Sequence, residues 1–124
     1  MQDSLSVFTD AYIEAALGSS TDDNDQPLDQ VDVALSEECA AQMRGDCQAF
    51  FIANESLLDP ENYTGKSYNS IVIAGHDFWL TRCGHGAGFW GGDWKEPAAL
   101  KLTDAAHAFG NIDLYVGDDG LIYA

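Results

Sequence analysis

The segment from His76 to Trp90 carries the residue types that most often do chemistry in proteins. Imidazole, carboxylate and thiolate groups are all zinc ligands, and four residues here supply them: His76, Asp77, Cys83 and His85. Structural zinc sites usually show paired Cys or His residues at short, regular spacings. The spacing in this segment matches none of the common patterns, so these four residues are only weak candidates for a metal site.

Two further kinds of chemistry are conceivable in the same segment. An imidazole titrates near neutral pH, which makes His76 and His85 candidates for a general acid or base. The chain has no nucleophile elbow and no recognisable catalytic triad to accompany them. Its glycines at 84, 86 and 88 do not follow the spacing of phosphate-binding loops. The sequence therefore predicts no catalytic residue and no cofactor.

A structural interpretation explains this segment better. Glycines adopt the left-handed conformations that tight turns need. Short aromatic segments lie on both sides of the glycines, and large aromatic side chains typically fill a protein core. The pattern predicts a β-hairpin, with Phe78 and Trp79 on one strand and Phe89 and Trp90 on the other.

The second feature with chemical consequences is the charge. The 124 residues carry a formal net charge of −16, and residues 1–61 hold 14 acidic residues against one basic residue. This balance disfavours direct binding to nucleic-acid phosphates or to an anionic membrane. It favours a protein partner with a basic, nucleic-acid-binding surface. The acidic residues assigned to partner binding are Asp10, Glu14, Asp22, Asp23, Asp25, Asp29, Asp32, Glu37 and Glu38.

Helices are predicted to position most of these carboxylates. An amphipathic helix is expected from Asp3 to Leu17, with Gly18 ending it. At about 100° per residue, Asp10 and Glu14 fall on the face opposite the apolar stripe of this helix. A second helix is expected after residue 36, a serine suited to N-capping, and residues 18–34 between the two helices are typical of an acidic loop.

The second half of the chain predicts a mixture of strands and one helix. Residues 68–74 are ambiguous, because their β-branched run favours a strand whereas Gly75 suits the end of a helix. A helix is expected over residues 97–109, and a second hairpin over residues 113–123. The expected fold is a single α+β domain with N-terminal helices, followed by a small antiparallel sheet of about four strands in two hairpins, interrupted by one helix.

The cysteines favour a reducing compartment. Three cysteines without a secretory signal do not form a disulfide framework. Cys39 and Cys47 lie eight residues apart in the second predicted helix, so both can face the core as small apolar side chains. No apolar run approaches the ~20 residues that span a bilayer. The expected location is the cytoplasm.

Two blocks of the second half of the chain have a distinctive sequence. They contain the motifs HDFWLTR at 76–82, GHGAGFW at 84–90, LTDAA at 102–106, FG at 109–110 and DLYVGDDG at 113–120. Through these motifs the chain resembles a family of small, mostly uncharacterised proteins encoded by tailed bacteriophages and prophages. The resemblance covers residues 74–124 firmly and the N-terminal half loosely, and it implies a phage gene product that acts in the cytoplasm of the bacterial host.

The acidic half leads to one functional hypothesis and leaves two alternatives. DNA presents one negative charge per ~1.7 Å of its axis, and stripes of Asp and Glu on helices can imitate such a surface. We therefore expect an accessory protein that binds and inhibits a host protein, for example as a DNA mimic directed against CRISPR, restriction or transcription. The alternatives are a small histidine-dependent enzyme or metal-binding module, and an acidic structural or virion-associated protein whose charge serves solubility.

Overall fold

The computed structural model describes residues 3–22, 24–28, 34–65, 69–84, 88–90 and 93–124. These residues form an α+β fold, as predicted, with four α-helices and a small sheet. None of the described helices is long and apolar enough to cross a bilayer. In chain order the elements are α1 (Ser4–Ser19), β1 (Ala34–Leu35), α2 (Glu37–Asn54), a 3-10 helix (Pro60–Asn62), α3 (Ser70–Arg82), α4 (Ala98–His107), β2 (Tyr115–Val116) and β3 (Leu121–Tyr123).

Side-chain caps fix the starts of α1 and α2, in agreement with the sequence. Asp3 accepts a hydrogen bond from the backbone amide of the residue three positions later at 2.7 Å, and Ser36 does the same at 3.1 Å. Helix α1 continues to Ser19, so the prediction that Gly18 ends it is wrong. The indole of Trp79 donates to the Ser19 hydroxyl at 2.7 Å, which ties this last turn to α3.

Helix α3 occupies the segment in which the sequence predicts the first hairpin. Asn69 caps it by accepting hydrogen bonds from the amides of residues 71 and 72, and the helix continues through Gly75 to Arg82. The predicted hairpin at residues 77–90 is therefore wrong. Most of α3 from residue 74 onwards is buried, so its sequence lacks the one-sided apolar period of a surface helix.

The sheet is mixed, and within the described residues it has three strands in the order β1–β3–β2. Strand β2 pairs antiparallel with β3, whereas β1 pairs parallel to β3 with Ala34 opposite Leu121. The prediction of a four-stranded antiparallel sheet is therefore wrong. Strand β1 comes from the end of the predicted acidic loop, and the Ser36 amide donates to the carbonyl of Ile122 at 2.9 Å beside it. Such pairing depends on a segment far along the chain, which local sequence does not specify.

An aromatic cluster holds the first three helices together. Phe50 of α2 stacks on Phe78 of α3 with ring centroids 4.1 Å apart, and Phe8 of α1 lies 5.9 Å from each. Phe89, which follows α3, lies 5.7 Å from Phe50. Aromatic pairs at these separations add about 0.5–1.5 kcal/mol each beyond the burial of their area, so this cluster is the main packing unit of the helical layer.

The three cysteines are free thiols, as the sequence predicts. Cys39 and Cys47 are both buried on the core side of α2. Burial raises the pKa of the Cys47 thiol to about 12. Because the thiolate is the reactive form, we expect this buried thiol to be unreactive and to serve in packing the core.

A buried arginine joins the helices to the turn that follows α4. Arg82 is 5% exposed, and its guanidinium donates to the Asp46 carboxylate at 2.9 Å and to the Tyr12 hydroxyl at 3.1 Å. It also donates to the backbone carbonyls of Phe109 at 2.9 Å and Gly110 at 2.8 Å. A buried charge is tolerated when it is paired and hydrogen-bonded in this way.

Gly75, which suits a helix end in the sequence, instead lies inside α3 where that helix approaches α1. A Cβ at this position would overlap the carbonyl oxygen of Phe8 and lie 2.8 Å from the Cβ of Ala11. We expect Gly75→Ala to lower the free energy of unfolding by about 1–3 kcal/mol. In α2, a Cβ on Gly45 would meet no atom within 4 Å, so Gly45→Ala is expected to raise the free energy of unfolding by about 0.5–1 kcal/mol. Urea denaturation measures the change in stability of each variant. If the two substitutions change stability in the same direction, α3 does not pack against α1 at Gly75 as described.

Candidate partner-binding surface

Three of the four residues considered as metal ligands lie in the described ranges, and each contacts a different part of the fold. His76 faces α1, Asp77 faces the loop before α4, and Cys83 faces the segment after α4. The pairs are His76 Nε2 with Glu14 Oε1 at 3.9 Å, Asp77 Oδ2 with Trp94 Nε1 at 2.9 Å, and Cys83 Sγ with the Ile112 carbonyl oxygen at 3.5 Å.

Helical geometry explains why these residues diverge. Successive residues of a helix point about 100° apart, so His76 and Asp77 face different sides of α3. Across the described ranges, no three His, Cys, Asp or Glu residues are arranged to hold a metal ion. His85 lies outside the described residues. The geometry therefore gives no support to a shared metal or catalytic site at His76, Asp77 and Cys83.

The end of the glycine-rich segment packs against α3. The Thr81 hydroxyl accepts a hydrogen bond from the amide of Phe89 at 3.1 Å. Gly88 has a φ of +136°, and a Cβ there would overlap the Thr81 hydroxyl oxygen. Both the conformation and the close contact require glycine. This position therefore has a packing role, consistent with the structural interpretation of the segment.

Asp77 is electrostatically unusual although it joins no catalytic group. The residue is 6% exposed, and burial raises the pKa of its carboxyl to about 7, with a smaller upward contribution from Asp93. The hydrogen bond from Trp94 acts in the opposite direction. A carboxyl that titrates near neutral pH often marks a functional site, but Asp77 is buried and accepts its hydrogen bond from the Trp94 indole, which does no acid–base chemistry. We therefore expect its ionisation to act on stability.

The acidic candidates that the structure describes lie mostly at the surface. They occupy α1, the loop after it, and the first turn of α2, where negative side chains interact favourably with the helix dipole. The exposed members are Asp10 and Glu14 on α1, Asp25 in the loop, and Glu37 and Glu38 on α2.

Asp22 differs from the other acidic candidates because its carboxylate holds the loop together. Its Oδ1 accepts hydrogen bonds from the backbone amides of Asn24 at 2.8 Å and Gln26 at 3.0 Å. One oxygen of this carboxylate is therefore already hydrogen-bonded within the chain. The remaining three candidates, Asp23, Asp29 and Asp32, lie outside the described residues.

A groove of about 420 Å³ separates α1 from α2. It is lined by Leu5, Ser6, Thr9, Asp10, Arg44 and Gln48. Glu37 lies seven residues before Arg44, so the two residues share one face of α2. Asp10 of α1 therefore lies at this groove. Glu37 lies on the same face of α2 as the groove residue Arg44, about two turns nearer the start of the helix.

A second groove, of about 360 Å³, lies where α2 begins beside the sheet; we call it the acidic groove. It is lined by Ser36, Glu37, Glu38, Leu121 and Tyr123. The sheet pairing creates it, because β3 lies between β1 and β2 and brings Tyr123 beside the start of α2. Two candidate carboxylates therefore border one concave surface.

Asp119 extends the negative charge at the acidic groove, and the sequence analysis did not select it. The Tyr123 hydroxyl donates to Asp119 Oδ2 at 2.6 Å, and this hydrogen bond raises the pKa of Tyr123 to about 12. The Tyr123 ring stacks on Tyr115 at 5.8 Å. The only signal in the sequence is the Asp-Gly turn at 119–120, which indicates a turn and not a binding site.

Two ion pairs involve the chain's own acidic residues in the described ranges. Glu14 lies near His76, which is charged only when protonated, and Asp46 pairs with Arg82 at 2.9 Å. Neither pair includes Glu37 or Glu38. Within the described residues these two carboxylates are therefore not neutralised by a lysine or arginine of the same chain.

Comparisons with models of protein families, with curated proteins and with solved structures find no significant match for this chain. Its function is therefore inferred from its own residues and surface.

Proposed function

We propose that this protein is a phage accessory protein that binds a basic surface of a host protein and inhibits it by excluding nucleic acid. The observation that carries the proposal is the acidic groove, where Glu37 and Glu38 border a concavity and have no cationic partner among the described residues. Carboxylates in this arrangement accept hydrogen bonds from lysine and arginine side chains of a partner.

The overall charge supports the same partner class. A net charge of −16 attracts a basic protein from a distance and accelerates the encounter, especially at low ionic strength. On α1, Asp10 and Glu14 are one helical turn apart, about 6 Å along the axis. Negative groups repeated at short intervals resemble the charge pattern of a nucleic-acid backbone. The surface therefore suits a site that normally binds DNA or RNA.

The proposal predicts selective, salt-dependent capture of nucleic-acid-binding proteins. Immobilised protein is incubated with a bacterial lysate treated with nuclease, and retained proteins are identified at about 50 mM and about 500 mM salt. We expect nucleic-acid-binding proteins to be retained at low salt, to be lost at high salt, and to be displaced by added duplex DNA. The double variant Glu37→Gln/Glu38→Gln should retain several-fold less.

A matched control separates the acidic groove from total charge. Glu55→Gln/Glu61→Gln removes the same two charges from exposed positions outside the groove. Thermal melting of both double variants checks that the fold is kept. The proposal is wrong if both double variants lose binding equally, if duplex DNA displaces nothing, or if no nucleic-acid-binding protein is retained.

A further inference from the structure

A third groove, of about 310 Å³, lies beside the start of α4; we call it the tryptophan groove. It is lined by Trp90, Trp94, Glu96, Ala99, Leu100 and Thr103. Trp90 is 55% exposed and Leu100 is 57% exposed, although both are large apolar side chains. The structural interpretation of the glycine-rich segment uses its aromatic side chains to fill the core, but Trp90 lies at the surface. Scattered exposed apolar residues are common, whereas exposed apolar surface gathered at one groove marks an interaction site, and Trp90 and Leu100 both border this groove.

The walls of the tryptophan groove are held in place before any partner binds. Trp94 is 3% exposed, and its indole nitrogen donates to Asp77 at 2.9 Å while its ring packs against Tyr63 at 5.2 Å. The Thr103 hydroxyl donates to the backbone carbonyl of Ala99 at 2.7 Å. Fixed walls reduce the conformational entropy that is lost on binding.

A fixed carboxylate stands at the same groove. Glu96 Oε1 accepts a hydrogen bond from the backbone amide of Leu100 at 3.0 Å, which orients the side chain across the first turn of α4. Lys95 and Lys101 are close in sequence, but in the described ranges neither forms an ion pair with Glu96. The groove therefore combines apolar walls, an exposed tryptophan and one oriented negative charge.

These features select a long side chain that ends in a cation. The face of an indole ring attracts a cation, and arginine stacks on aromatic rings more often than lysine does. A planar guanidinium also matches the geometry of a carboxylate. A purely apolar side chain would cover the Glu96 carboxylate without pairing it, which is unfavourable. An anion would be repelled by both Glu96 and the net charge of −16.

We propose that the tryptophan groove binds an arginine side chain of a partner protein, with the aliphatic stem against Leu100 and the guanidinium between Trp90 and Glu96. The partner class rests on the proposed function, but the groove is separate from the acidic groove. It supplies a specific anchor in addition to the long-range attraction of the carboxylates.

A small peptide tests the groove directly. The probe is an acetylated, amidated Gly-Arg-Gly peptide, and the readout is the set of tryptophan indole N–H signals in ¹H–¹⁵N NMR spectra of the full chain. We expect the Trp90 and Trp94 signals to shift saturably with a dissociation constant of about 1 mM. The same peptide with citrulline in place of arginine has a similar shape without the charge, and it should bind at least about fivefold more weakly.

Two variants and two controls complete the experiment. Glu96→Gln keeps an acceptor for the Leu100 amide and removes the charge, and Trp90→Ala removes the exposed ring; each should weaken peptide binding about fivefold or more. Glu61→Gln and Tyr115→Ala remove an exposed charge and an exposed ring elsewhere, and each should leave binding unchanged. Equal binding of arginine and citrulline peptides, absence of any shift, or unchanged affinity in Glu96→Gln would overturn the assignment.

The result is independent of the capture experiment. The probe carries one arginine, and Glu37→Gln/Glu38→Gln should bind it as the unmodified protein does. If the peptide fails to bind while lysate capture still depends on Glu37 and Glu38, the tryptophan groove is excluded and the proposed function stands. If the peptide binds while lysate capture fails, the groove stands and the proposed function is wrong.

Discussion

Replacing Arg82 with methionine is expected to lower the free energy of unfolding by about 3–5 kcal/mol. The guanidinium is buried and donates to Asp46, to the Tyr12 hydroxyl and to the carbonyls of Phe109 and Gly110. Methionine fills part of the volume but donates no hydrogen bond, so these acceptors lose their donor. Since domains are stable by only about 5–15 kcal/mol, the variant should unfold at a much lower urea concentration.

Urea denaturation followed by tryptophan fluorescence measures this effect. Arg44→Met removes the same charge from an exposed position on α2 and should change stability by no more than about 0.5 kcal/mol. Arg82→Lys retains the charge without the planar fork of donors, so an intermediate loss is expected. If Arg82→Met and Arg44→Met are equally stable, the network around Arg82 does not hold the helices to the C-terminal turn.

Replacing Asp77 with asparagine is expected to stabilise the protein at pH 8 by up to about 4 kcal/mol. The carboxyl is 6% exposed, and burial raises its pKa to about 7, so at pH 8 the folded protein holds a buried negative charge. Asparagine is neutral and close in shape, and its side-chain oxygen can still accept the hydrogen bond from Trp94. The gain arises because the charged form, and not the side chain itself, is unfavourable in this environment.

The pH dependence of this gain identifies its cause. The pKa of Asp77 rises from 3.8 to about 7 on folding. At a pH between these two pKa values, the carboxyl of the unfolded chain has lost its proton, whereas the carboxyl of the folded protein retains it. The stability contributed by the neutral carboxyl is therefore complete at the lowest pH, falls as the pH rises through this interval, and levels off above it. The advantage of Asp77→Asn should accordingly vanish at low pH and reach its maximum above neutrality.

Differential measurements isolate Asp77 from the many other carboxylates. Stabilities of Asp77→Asn and of the unmodified protein are compared by urea denaturation at a series of pH values, with the exposed Asp104→Asn as the control. Repulsion among the other carboxylates changes with pH almost equally in all three proteins. It therefore cancels when the free energies of unfolding are subtracted. A pH-independent difference for Asp77→Asn, or a loss of stability at pH 8, would show that burial does not raise the pKa of this carboxyl.

The helices with one buried face were predictable from local signals. The starts of α1 and α2 follow from their capping residues, Asp3 and Ser36. Helix α4 lies within the predicted range 97–109, and Gly110 after it adopts the left-handed conformation with φ +79°. Caps, a one-sided apolar period and a terminal glycine act within a few residues of sequence, so no distant contact is needed to recognise them.

The candidate surfaces were predictable only in part. The excess of carboxylates, including Glu37 and Glu38, is a property of composition, and the exposure of these two residues follows from their place in the first turn of a surface helix. The acidic groove itself depends on β3 lying beside the start of α2, and the tryptophan groove depends on α4 packing beside Trp94. No local pattern reports either arrangement.

The α+β class, three of the helices and the strong negative charge were predictable from the sequence alone, because periodicity, capping and charge are properties of residues close together in the chain. The three-dimensional structure was needed to establish that residues 70–82 form a helix, that β1 runs parallel to β3, and that Asp77 and Arg82 are buried. These outcomes depend on contacts between distant residues, such as the hydrogen bond from Arg82 to Tyr12 across 70 positions of the chain. Burial then changes the chemistry of a side chain, since it raises the pKa of Asp77 and makes the pairing of Arg82 essential.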